Sequence, residues 1–202
     1  MRPRVGYPEE RQRRQDAGVV SGVPIPAWRD DTFGSFLRIL TLNSSEQARR
    51  LLDRILDAIL QAYGDLKDPT FHFVGRSEAR GEYNELIRTL SDVGEVTDET
   101  DPNTDVGRYL RIAADHGTWF LWLSYVGPFA CLLRQRANRQ FLAEGGVNTI
   151  EARVRALCER AGLAMLDAST LEHPIPLTLD KTEPENVRVF QALFSDSDLL
   201  PW

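Results

Sequence analysis

Between Ala48 and Tyr63 the apolar residues Ala48, Leu51, Leu52, Ile55, Leu56, Ile59, Leu60 and Tyr63 recur at three- and four-residue steps, with Arg49, Arg50, Asp53, Arg54 and Asp57 between them. That period gathers the apolar groups on one stripe and predicts a long helix packed on a core. Ser44 and Gln47 have the spacing of a capping box and Gly64 supplies a stop, so the helix is expected to start near Ser44 and end at Tyr63. Upstream, Trp28, Phe33, Phe36, Leu37 and Leu40 predict a separate short helix. Residues 1–26 have no period and close on Val23-Pro24-Ile25-Pro26; they read as a flexible basic arm ahead of one domain over 27–202.

Downstream the period changes. Phe71-His72-Phe73-Val74 suggests a short strand, and Tyr83, Leu86, Ile87 and Leu90 suggest a helix ending near Val93-Gly94. Tyr109 to Ala114, Trp119 to Val126 and Phe129 to Arg134 are aromatic and aliphatic runs separated by His116-Gly117-Thr118 and Gly127-Pro128, the spacing of an antiparallel meander. With a period of two, Trp119, Leu121, Leu123 and Tyr125 share one face of the middle strand, and Phe120, Trp122 and Ser124 share the other. Either helices cover both faces, which the several amphipathic helices favour, or one aromatic patch is left exposed for a partner. A further helix is predicted from Thr149 to Ala161, with Ile150, Val154, Leu157 and Ala161 inward and Gly162 as its stop, and an amphipathic segment over Glu185 to Phe194. The fold class expected is α+β: an antiparallel β-meander packed with several amphipathic helices.

Composition narrows the function. No run approaches the roughly 18 apolar residues of a bilayer span, and no apolar stretch suited to a signal peptide follows the basic residues at Arg2 and Arg4. Cys131 and Cys158 are far apart and lack C-x-x-C spacing, which fits a reducing cytoplasm. The net charge of −6 argues against direct nucleic-acid binding by the whole domain and favours a basic protein partner. Only Lys67 and Lys181 among the 24 basic residues are lysine, a bias that reads as genome composition.

Catalytic signatures are sparse. His72, His116 and His173 are isolated, and neither a zinc motif nor a glycine-rich phosphate loop occurs, so no metal and no cofactor is expected. Cys131, with Asp115 and His116, is the candidate nucleophile of an enzyme reading, against which stands its place inside a predicted core strand. The carboxylate pairs Asp53 with Asp57, Asp98 with Glu99, and Asp196 with Asp198 read as solvated surface charge. The stretch from Glu95 to Asp105 is expected to be an exposed loop, and Glu95, Asp98, Glu99, Asp101 and Asp105 form a candidate partner-binding patch that steers a basic protein. Leu199-Leu200-Pro201-Trp202 is a candidate docking element should the chain be an accessory subunit of an assembly.

The meander from Leu121 to Ala130, Ala161-Gly162-Leu163-Ala164-Met165-Leu166, Leu171-Glu172-His173-Pro174-Ile175-Pro176 and the close Val189 to Asp196 together resemble small bacterial immunity proteins, those encoded beside toxins. The resemblance covers about the last half of the chain and includes no catalytic motif. It implies a cytoplasmic, non-enzymatic protein that binds and neutralises a toxin domain.

Overall fold

The structure, a computed structural model, describes residues 31–136, 139–142 and 149–202. The expected arm over residues 1–26, and Trp28, lie outside the described residues. The chain divides into two compact units, Met1–Thr41 and Leu42–Trp202; of the first, only helical backbone from Asp31 onward is described.

Helix α1 runs from Asp31 to Tyr63. It passes through Ser44 without interruption, so the expected helix start there and the separate short helix before it are both corrected. Serine and asparagine cost only a fraction of a kcal/mol inside a helix, about 0.7 at most, and a capping signature alone does not stop one. Of the expected stripe, Ile55, Ile59 and Tyr63 are fully buried and Leu51, Leu52 and Leu56 half-buried, whereas Ala48 and Leu60 are exposed, which corrects the stripe at those two positions; Gly64 ends the helix with φ 77°. Phe71-His72-Phe73-Val74 is not a strand, because α2 spans His72–Ala79. Four residues cannot separate a period of two from one of 3.6. Packing separates them here: Phe71 and Phe73 both meet the Tyr63 ring edge-on, at 5.4 and 5.0 Å. Helix α3 covers Asn84–Leu90.

The expected meander is present as β2 (Gly107–Ala114), β3 (Gly117–Ser124) and β4 (Phe129–Arg136), antiparallel throughout, with Leu110 opposite Leu121 and Trp122 opposite Cys131. Two further strands extend it, β1 (Glu95–Asp98) beside β2 and β5 (Arg139–Leu142) beside β4. After helix α4 (Thr149–Arg160), the short β6 (Ala164–Met165) pairs in parallel with β4. The sheet order is β1-β2-β3-β4-β5, and with its helices the class is α+β.

Both faces of the sheet are covered. On one, Phe120, Trp122, Cys131 and Leu133 pack with Ile55, Ile59 and Phe190; on the other, Trp119, Leu121, Leu123 and Leu132 pack with Leu86, Leu90, Val154 and Cys158. Tyr125 joins the first group and not the second, because β3 ends at Ser124 and the alternation ends with it. On α4, Cys158 is buried where Ala161 was expected to be, and Ala161 is exposed. The carboxylate of Glu151 is tucked under this layer, accepting from Trp119 Nε1 at 3.1 Å with Arg134 at 3.7 Å. After α5 (Ala168–Leu171), the segment Glu185–Phe194 is not one amphipathic helix: a 3-10 turn at Pro184–Asn186 is followed by α6 (Val189–Leu193), whose five residues are all buried. Among the described residues no helix is long and apolar enough to cross a membrane.

Two glycines with opposite surroundings test the packing. A Cβ on Gly107 would lie 2.2 Å from the Leu123 carbonyl oxygen across the ladder, whereas one on Gly75, exposed in the middle of α2, meets nothing within 4 Å. Gly107→Ala is expected to lower stability by about 1–3 kcal/mol and Gly75→Ala to raise it by about 0.5–1 kcal/mol, read from urea midpoints at unchanged slope.

Candidate functional site

The acidic stretch after α3 is a strand followed by a turn, which corrects the expected exposed loop. Val96 and Thr97 are half-buried, and the register Glu95 to Ala113, Val96 to Ile112, Thr97 to Arg111 and Asp98 to Leu110 makes β1 the outermost strand beside β2. A strand of four residues carrying acids at both ends is a frequent form for a sheet edge, where one side of the backbone meets water. The Glu99 N–H donates to the Tyr109 carbonyl at 2.8 Å, and this fixes the phase of the antiparallel ladder. Glu95, Thr97 and Glu99 direct their backbone groups at β2. Val96 and Asp98 direct theirs away from it.

Glu95, Asp98, Glu99 and Asp101 are exposed along this edge, and Asp105 is not, being 6% exposed. Asp98 pairs with Arg108 at 2.6 Å, and Glu99 pairs with Arg111 at 2.7 Å, while Arg111 also donates to the Thr97 hydroxyl at 3.0 Å. Asp101 accepts from both the backbone N–H and the side-chain amide of Asn103, which holds its pKa below the ordinary value. The structure thus gathers four of the five expected residues at one edge of the sheet, where no further strand pairs with β1 among the described residues. It turns the fifth inward, where the Asp105 carboxylate accepts from the Asp101 N–H at 2.7 Å.

Composition alone did not point to what anchors this edge. Asp196, which reads in the sequence as solvated charge, is 5% exposed and accepts from the Asp180 and Lys181 N–H groups and the Thr182 hydroxyl. Its own N–H donates to the Thr104 carbonyl at 2.7 Å, and Val106 N–H donates to Phe194, so the acidic turn is tied to the end of the chain. Asp198 does remain at the surface, accepting from the Glu183 N–H and the Asn186 amide. Asp53 and Asp57 are exposed on α1.

Other candidates are not assembled into sites. Cys131 is fully buried opposite Trp122, and burial pushes its thiol well above the ordinary range. His116 is exposed in the turn before β3, six residues from Trp122 and so about 20 Å along the strand. The Cys131 and His116 pair therefore cannot act together. Burial likewise raises the Cys158 thiol, to about 12. Among the described residues no group of three or more His, Cys, Asp or Glu side chains could hold a metal ion. Trp202 packs edge-on against Phe190 at 5.3 Å and donates to Glu172, so the terminal segment is docked on its own unit, with Leu199 left exposed.

Asp105 gives the edge a pH signature. Burial raises its pKa above the ordinary 3.8, against the lowering effect of the Asp101 N–H. The folded chain then binds this proton more tightly than the unfolded chain, so the contribution to stability is full at low pH and is lost as pH rises through the raised value. Asp105→Asn removes that dependence while keeping an acceptor for the Asp101 N–H. The variant is expected to gain on the wild type as pH rises from about 4 toward neutrality, measured as the difference between urea midpoints; an offset constant with pH would contradict this. Compared with known proteins, the chain matches no family model, no curated protein and no solved structure.

Proposed function

We propose that this chain is a non-enzymatic protein-binding module that takes a basic partner along the open edge of β1, as an immunity protein that binds and neutralises a toxin domain would. The observation that carries this reading is the phase of β1: the N–H and C=O groups of Val96 and Asp98 face away from β2, flanked by the exposed carboxylates of Glu95, Asp98, Glu99 and Asp101. An unpaired strand edge recognises an extended segment through main-chain hydrogen bonds, and the flanking charge decides which segment is accepted. A second copy of the same acidic strand is repelled. A basic strand is attracted, and its encounter is accelerated.

Arg108 and Arg111 refine this picture. They offset two of the four exposed carboxylates, leave the edge negative, and hold Asp98 and Glu99 in defined positions before any partner arrives. Such preorganisation lowers the ordering cost of binding. The identification with an immunity protein rests on the resemblance of the last half of the chain to that family.

The tagged chain should capture a stoichiometric basic partner from the lysate of its source cells at low salt and less of it at moderate salt, because screening weakens the attraction of exposed charges. With that partner purified, Val96→Pro removes one outward N–H while leaving the bonds to β2 in place, and Glu95→Lys reverses one exposed charge that forms no ion pair with another described residue. Each is expected to weaken binding by about tenfold, the second with a flatter salt dependence. Equal affinity in both variants and the wild type would place the partner elsewhere.

A further inference from the structure

On the layer of helices α2, α3 and α4, a groove of about 1040 Å³ opens to solvent. It is lined by Val126-Gly127-Pro128, at the turn between β3 and β4, and by side chains that include Arg76, Arg80, Tyr83 and Arg160. The arginines occupy equivalent places for the same reason: Arg76 lies in the last turn of α2, Arg80 caps it, and Arg160 closes α4. A cation at a helix C-terminus is stabilised by the unsatisfied carbonyls there. Helix electrostatics accounts for each arginine separately and leaves their meeting at one groove unexplained. All three are exposed, and none has an ion pair or side-chain hydrogen bond with another described residue. Arg88, nearby on α3, contrasts with them, since it is paired with Glu85 at 2.9 Å.

The groove wall is held rigidly. Tyr83 has φ 72°, a left-handed conformation that costs a non-glycine residue about 1 kcal/mol or more. Its hydroxyl donates to the Ser124 carbonyl and its ring stacks on Tyr125 at 6.0 Å, so two tertiary contacts hold the strained residue in place. Tyr125, also a wall residue, is 6% exposed, and its hydroxyl is buried beside Arg108 without reaching hydrogen-bond geometry to any described group.

We propose that this groove binds an extended acidic segment of a partner protein, its carboxylates paired with Arg76, Arg80 and Arg160 and its backbone lying over Val126-Gly127-Pro128. Charge complementarity selects the class of occupant. Within the groove Glu85 is already paired, which leaves Glu82 as the acid facing three unpaired guanidinium groups. Guanidinium forks match carboxylates bidentately, and arginine clusters are a recurrent means of reading acidic motifs. Shape selects a segment over a small molecule. The volume is at the upper end of the roughly 300–1000 Å³ typical of small-ligand pockets, and the groove opens to solvent. This surface is distinct from the edge of β1 and opposite to it in charge, so the same unit offers one surface to a basic segment and another to an acidic one.

The test uses the full chain and a fluorescein-labelled hexaglutamate peptide, followed by fluorescence anisotropy, with inorganic phosphate as competitor. The wild type is expected to bind the peptide saturably with a dissociation constant below about 1 mM and more weakly as salt rises. Arg80→Glu combined with Arg160→Glu should weaken binding by about tenfold or more, while Asp53→Asn, exposed on α1 and outside the groove, should leave it unchanged. Should the double variant lose its urea unfolding transition, Arg80→Gln with Arg160→Gln provides the same comparison in the same direction without reversing charge. The proposal is overturned by an absence of saturable binding, by equal binding in the folded arginine variants, or by phosphate displacing the peptide at matched concentration, which would make the site one for small anions. A loss of peptide binding in Asp53→Asn alone would also overturn it.

Discussion

Strand β3 has no solvent face, and most of the architecture follows from that. From Trp119 to Ser124 every residue is buried, so each side of the sheet needs its own cover: Ile55, Ile59 and Phe190 on one side, Leu90, Val154 and Cys158 on the other. Burying a large apolar side chain is worth about 1.5–3 kcal/mol, and β3 alone places Trp119, Phe120, Leu121, Trp122 and Leu123 in the two cores. With both faces closed, the sheet can offer backbone to a partner only at its edge. The acids of β1 lie there.

The end of the chain completes that edge. Asp196 gathers the Asp180 and Lys181 N–H groups and the Thr182 hydroxyl, and passes its own N–H to Thr104, in the turn that follows β1. Asp105 is held in the same place by the Asp101 N–H and an isolated bridge to Ser195. These two buried carboxylates are structural, and they fix the geometry in which the exposed ones stand. Backbone N–H groups aimed at each of them replace hydrogen bonds that a carboxylate loses when it leaves water.

What the sequence made legible follows from where the stabilising contacts lie. Strands β2 to β4 were legible because burial on both faces turns a strand into an aromatic and aliphatic run, bounded here by His116-Gly117-Thr118 and Gly127-Pro128. Helix α4 was legible from its period and Gly162. Strand β1 was not, because an acidic four-residue segment becomes a strand only through pairing with β2, which no local window contains. Phe71 and Phe73 gave the period of a strand and took the geometry of a helix under the pull of Tyr63. Of the candidate site, the charge of Glu95, Asp98, Glu99 and Asp101 was legible, and their partners Arg108 and Arg111 on the neighbouring strand were not. Arg76, Arg80 and Arg160 come from two helices far apart in sequence, so only the fold brings them to one groove.

The central claim is that the outer edge of β1 is open in the free chain and available for pairing. Residue-resolved amide hydrogen exchange on the full chain, without any partner, tests it most directly. Thr97 and Glu99, bonded to β2, should exchange slowly, and Val96 and Asp98, facing outward, should exchange much faster, an alternation that follows from the ladder phase. Equal, strong protection of all four amides would mean that the edge is already occupied in the free chain, and would contradict the account.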